Sequence, residues 1–106
     1  MKLLKIILMA TLVFGVSATT LSADVVKGQK LFIKKLKKPC GFNGAKFAAK
    51  HTQDEWETIY KDGKFEEEII KICPKVKTGD VKEKWISHIY EFSYEYANDS
   101  GNVPSC

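Results

Sequence analysis

The first two dozen residues decide how much chain is left to fold. M1-K-L-L-K5 is basic, I6-I-L-M-A-T-L-V-F-G-V16 is an apolar run, and S17-A-T-T-L-S-A23 is small and polar. Those are the three parts of a secretory signal peptide. A membrane span needs roughly 20 apolar residues, and the polar flank at Ser17 arrives too early for one. The expectation is a signal peptide over residues 1–23, cleaved after Ala18 or Ala23, and a single domain over residues 24–106. A mature chain of about 83–88 residues builds a core that is marginal without a disulfide, a metal, a cofactor or a partner. Export puts it in the periplasm or outside the cell, with no membrane span in the mature form.

Such a compartment is oxidising, so thiol pairing is the default. Cys40, Cys73 and Cys106 are the disulfide candidates, and any single pairing leaves one thiol over. The polar tail N98-D-S-G-N-V-P-S-C106 would fray unless tethered, which favours Cys106 as one partner. A bridge across either 33-residue interval contributes about 3.7 kcal/mol in the chain-entropy picture.

Charge narrows the partners. The formal charge is +4, and loss of Lys2 and Lys5 with the signal peptide reduces it to about +2. There is no arginine, so bidentate recognition of phosphate or guanine is absent and no nucleic-acid partner is expected. Lysines do cluster at positions 27, 30, 34, 35, 37 and 38. That cluster is either a solvated helix face or a docking patch for an acidic periplasmic redox partner.

Periodicity along the mature chain is helical. Asp24 can cap a helix in which Val25, Gln29, Phe32 and Leu36 share one face, with Gly28 beside it; Pro39 is expected to end it. C40-G-F-N-G44 reads as a turn, and A45-K-F-A-A-K50 as a short helical piece. T52-Q-D-E55 is a capping box that opens a helix carrying Trp56, Ile59 and Tyr60. K64-F-E-E-E-I-I-K-I-C73 has acids early and a lysine late, as a helix dipole prefers, and Pro74 stops it. Val81, Trp85, Ile89, Phe92 and Tyr96 then form an aromatic stripe at helical spacing. No segment alternates as a strand does. The fold class is therefore all-α, a bundle of four or five short helices whose first and last members pack across each other through Gly28 and the aromatic stripe.

G28-Q-K-L-F32 near the mature start, a cysteine soon after it, a run of short helices and an aromatic-rich last helix with a tyrosine near its end together resemble a small class I cytochrome c. The resemblance covers most of the mature chain through short motifs. It implies that Gly28 and Phe32 pack against Phe92 or Tyr96, and that the chain binds haem and carries electrons. The family attaches haem through C-x-x-C-H, in which two thiolates bond the porphyrin and the histidine ligates iron. Here only Cys40 is present: Asn43 stands in the second cysteine's place and Gly44 in the histidine's.

If haem is nonetheless bound, Cys40, His51 and His88 are the residues left to hold it, with the histidines as axial ligands. Met1 and Met9 both leave with the signal peptide, so no methionine ligand remains. The alternative is a haem-free derivative of the same fold, kept as a disulfide-stapled structural or interaction module. Such a derivative must refill the haem's space with side chains, and Phe42 and Phe47 are the expected fillers. Nothing in the chain specifies an enzyme: Cys40 with His51 as base would lack a recognisable orienting acid, and zinc or C-x-x-C spacing is absent.

Overall fold

The computed structural model describes residues 23–104, so the signal-peptide reading and Cys106 lie outside the described residues. Helix α1 covers residues 23–40 as three continuous segments: Ala23–Leu31, a π-helical turn Phe32–Leu36, and Lys37–Cys40. Four further helices follow: α2 (Gly44–Ala48), α3 (Gln53–Lys61), α4 (Phe65–Ile72) and α5 (Glu83–Glu95). Among the described residues there is no strand, and the class is all-α.

Pro39 does not end α1 as the sequence reading expected. In the π turn the amide of Lys37 donates to the carbonyl of Phe32, five residues back, and this interrupts the regular ladder. Pro39 therefore falls in the first turn of the segment that restarts at Lys37, where a missing N–H is tolerated. The helix stops two residues later at Gly41. Its φ of 83° is open to glycine, and its amide donates to the Lys37 carbonyl at 2.9 Å.

The first and last helices do pack against each other. Gly28 is buried where α1 meets α5, and a Cβ placed there would lie 2.8 Å from Phe92 Cβ and closer still to the His88 carbonyl oxygen. Only a hydrogen at this position lets the helices approach so closely. Phe32, one turn further along α1, sets its ring 6.2 Å from that of Phe92. Gly28→Ala is expected to destabilise the fold by about 3 kcal/mol, because a backbone carbonyl cannot rotate away as a side chain can. An unchanged urea midpoint would show that the two helices do not depend on this contact.

Ile89 and Phe92 are fully buried, as the stripe on α5 requires. Val81 is buried too, but it precedes the helix instead of starting it, because Lys82 holds the extended N-cap conformation. Residues 52–55 form the expected capping box, with the Thr52 hydroxyl accepting from the Glu55 amide at 3.1 Å and the Glu55 carboxylate accepting from the Thr52 amide at 3.1 Å. Trp56, thus anchored, is fully buried and its indole N–H donates to the Ala48 carbonyl at 2.9 Å.

The cysteine pairing differs from the preference for Cys106. Cys40 and Cys73 form the disulfide, joining the ends of α1 and α4 across 33 residues. The described start of the tail is held by hydrogen bonds. The Asn98 amide donates to the His51 carbonyl at 3.1 Å, and the Gln53 amide donates to the Asp99 carboxylate at 2.9 Å, which ties the tail to the start of α3.

Candidate functional site

The stretch of the sequence that points to a specific chemistry runs from Cys40 to His51, and the fold gives Cys40, Asn43, Gly44, Phe47 and His51 structural tasks. The Cys40 sulfur is bonded to Cys73, so no thiol is left there for a thioether. The Asn43 side chain accepts from the Lys46 amide at 3.0 Å and caps α2.

Gly44 is not part of the turn: it is the buried first residue of α2, set directly against α5. A Cβ at Gly44 would come within 2.7 Å of Phe92 Cζ and 3.5 Å of the Phe32 ring. A histidine side chain at this position would have to displace the Phe92 ring. The sequence reading took Gly44 for a turn glycine and missed this contact, because only the crossing of α1, α2 and α5 brings Phe92 onto it.

Phe47 and Phe42 were both expected to fill space beside this region, and they divide the task unequally. Phe47 is fully buried, with ring centroids 5.0 Å from Phe32 and 5.3 Å from Trp56. Trp56 in turn lies 5.4 Å from Phe65, so aromatic rings run without a break through the middle of the domain. Phe42 is half-buried at the edge, with the ammonium groups of Lys46 and Lys50 over its ring at 5.8 and 5.3 Å.

His51 and His88 are held by different elements. The His51 ring packs edge-on against Trp56 at 4.8 Å, and its two nitrogens face two carboxylates. Nδ1 lies 3.0 Å from Glu55 and Nε2 lies 2.7 Å from Glu68. Carboxylates only accept, so both contacts are hydrogen bonds when the ring carries both protons. The array joins the start of α3 to the middle of α4. The Glu55 carboxyl is held below its ordinary pKa, first by the Thr52 amide and then by the His51 ring. These acids are the orienting groups the sequence reading did not find beside His51. The capping box hints at Glu55, but Glu68 lies 17 residues away and carries no local signal.

His88 sits on α5 with its Nδ1 at 2.9 Å from the Asp24 carboxylate. Despite this proximity the buried nitrogen gains no aligned hydrogen bond.

Haem does not fit this arrangement as the family holds it. Its attachment sulfur is spent in a disulfide, its ligand position is a glycine facing a ring, and His51 would have to give up a carboxylate to reach iron. A cleft of about 690 Å³ opens between Tyr60, Phe65, Gly79, Val81 and Ile86, and none of Cys40, His51 and His88 borders it. At one side Tyr60 and Tyr90 stack in parallel at 4.2 Å, and burial, then nearby Glu57, pushes the Tyr90 phenol up to about 12. Among the described residues no cluster of histidine, cysteine and acid side chains is arranged to hold a metal ion, and no helix is long and apolar enough to cross a membrane. No protein-family model, no curated protein and no solved structure matches the chain.

Proposed function

We propose that the chain is an exported, haem-free relative of the small cytochromes c, a helical module stapled by the Cys40–Cys73 disulfide that acts by binding another protein. The observation that carries this reading is the contact between Gly44 and Phe92. Where the resembled family needs a histidine, this chain has no side chain, and an aromatic ring from α5 occupies the adjoining space. The pairing of Cys40 with Cys73 supports it from the other side of the same turn. It also agrees with export, since structural disulfides persist in oxidising compartments. The retained glycine and phenylalanine of α1 against Phe92 are the features that keep the resemblance to the family.

Intact mass and absorption test this together, on protein exported from a host able to mature c-type cytochromes. The expected product is colourless, begins at Thr19 or Asp24, and is lighter than its reduced mass by the hydrogens of a disulfide. A Soret band with the added mass of one haem would overturn the reading and return Cys40, His51 and His88 to the role of cofactor residues. A Soret band without that mass would overturn it equally, in favour of non-covalent binding by the histidines.

A further inference from the structure

Charge is divided unevenly along the chain. Residues 24–50 carry eight lysines against a single acid, Asp24, whereas residues 51–104 carry seven lysines and twelve acids. The fold keeps the basic side chains of the first stretch at the surface. All eight lysines of the first stretch are exposed, and none of them forms an ion pair among the described residues. Three acids of the second stretch face a basic group of their own chain: Glu57 pairs with Lys61 at 2.9 Å, Glu68 lies 3.8 Å from Lys71, and Glu55 and Glu68 each hold one ring nitrogen of His51. The lysines of the first stretch, with no ion-pair partner among the described residues, leave a positive charge open to an outside partner.

The basic surface also has an apolar centre. Ile33 on α1 is 42% exposed, while Phe32 and Leu36 beside it are buried. Ile33, Lys37, Lys38, Gly41 and Phe42 line a shallow depression of about 370 Å³. Lys34 stands next to Ile33 on the exposed side of the helix. The lysines over the edge of Phe42 continue the positive rim. An apolar centre inside a charged rim is the general anatomy of a protein-binding patch.

We infer that this face of α1 and the turn after it docks an acidic protein segment. Its carboxylates meet Lys34, Lys37 and Lys38, and one apolar side chain enters the depression between Ile33 and Phe42. The inference rests on the haem-free interaction-module reading and names its surface and the chemistry of its partner. A lipid surface is a poorer occupant: Val26 and Ile33 are the only large apolar side chains that α1 exposes, too narrow a stripe for a helix that lies in a bilayer interface. A second copy of the chain, which carries twelve acids against seven lysines over residues 51–104, is the occupant that the sedimentation measurement below separates from a foreign acidic segment.

The test uses the exported protein and a fluorescein-labelled peptide, Glu-Glu-Glu-Leu-Phe-Glu-Glu-Glu, beside a counterpart with Ser-Ser at its centre. The Leu-Phe peptide is expected to bind the wild-type protein more tightly, and added salt weakens both. The triple variant K34E/K37E/K38E, which changes only exposed side chains, should lose about tenfold in affinity for either peptide. Ile33→Ser should abolish the preference for the Leu-Phe peptide and leave binding of the Ser-Ser peptide unchanged. Amide shifts on titration should fall on residues 30–42, and circular dichroism should be wild-type for every variant.

Equal binding of the Leu-Phe peptide by wild type and the triple variant would overturn the inference, as would shifts confined to other helices. Two further results would do so by naming a different occupant: lysine-dependent binding to phosphatidylcholine–phosphatidylglycerol vesicles without peptide binding, or lysine-dependent self-association in sedimentation without peptide binding. A Soret band on the purified protein would sink the haem-free reading by itself, whereas a colourless protein that ignores the peptides sinks only the docking surface.

Discussion

Phe47→Ala lowers the unfolding free energy by about 3–5 kcal/mol, the usual cost of removing a buried phenylalanine ring. Phe47 has no exposed surface and sits between Phe32 and Trp56, so its removal leaves a void bordered by rings that cannot all collapse into it. For a domain of this length the melting temperature should fall on the order of 15 °C, a large part of the stability such a chain can have. Phe42→Ala is the internal control. Its ring lies at the edge under two ammonium groups, and the loss should be about 1 kcal/mol. Thermal or urea unfolding of the two variants side by side decides the matter. Equal losses would mean that both phenylalanines fill the core, as the sequence alone had suggested. No loss from Phe47→Ala would mean that the space beside Cys40 is filled by something other than side chains, and would count against the haem-free reading.

The second large effect is expected from the disulfide. Cys40→Ala/Cys73→Ala should reduce stability by about 3–4 kcal/mol, because the unfolded chain regains the freedom of a 33-residue loop. Cys40 and Cys73 are both buried, and alanine fits those positions without stranding a hydroxyl. Urea unfolding of wild-type protein with and without reductant gives an independent reading, and reduction should move the wild-type midpoint close to that of the double variant. A midpoint insensitive to reductant, in a protein whose mass shows the bridge intact beforehand, would mean that the helix ends stay together without it. The two predictions probe opposite sides of one turn: Phe47 fills the space, and the disulfide fixes the helix ends that enclose it.

What was legible in the sequence was local or periodic. The helices of residues 53–72 and 83–95 follow from capping and spacing, since T52-Q-D-E55 and the Ile89–Phe92 face carry their own start and packing signals. The approach of α1 to α5 was legible because a lone glycine on an apolar helix face has few uses other than close packing, and Gly28 has the one expected. The basic character of α1 was legible as composition, and the exposed Ile33 at its centre was not.

The resemblance to small cytochromes c directs attention to the stretch around Cys40 without fixing what is there. Cys40 could be read as half of an attachment site or as half of a bridge, and nothing near it in sequence chooses between the two. The choice depends on where the end of α4 arrives after the chain has passed through two intervening helices. Gly44 looked like a turn residue because its neighbours are turn formers, while its real constraint comes from Phe92, which reaches it only when α5 crosses α1.

By itself, then, the sequence determined the helices, their apolar faces and the pairing of the first with the last, because these follow from patterns within a few turns of chain. The tertiary structure alone decided which cysteines meet, which phenylalanine becomes core, and that the acids around His51 come from two helices. Those outcomes rest on distances between residues far apart along the chain, and such distances exist only once the helices have packed. Pro39 belongs to both accounts: its preference to end a helix is intrinsic, and the π turn that removes the demand for its amide is a property of how α1 folds.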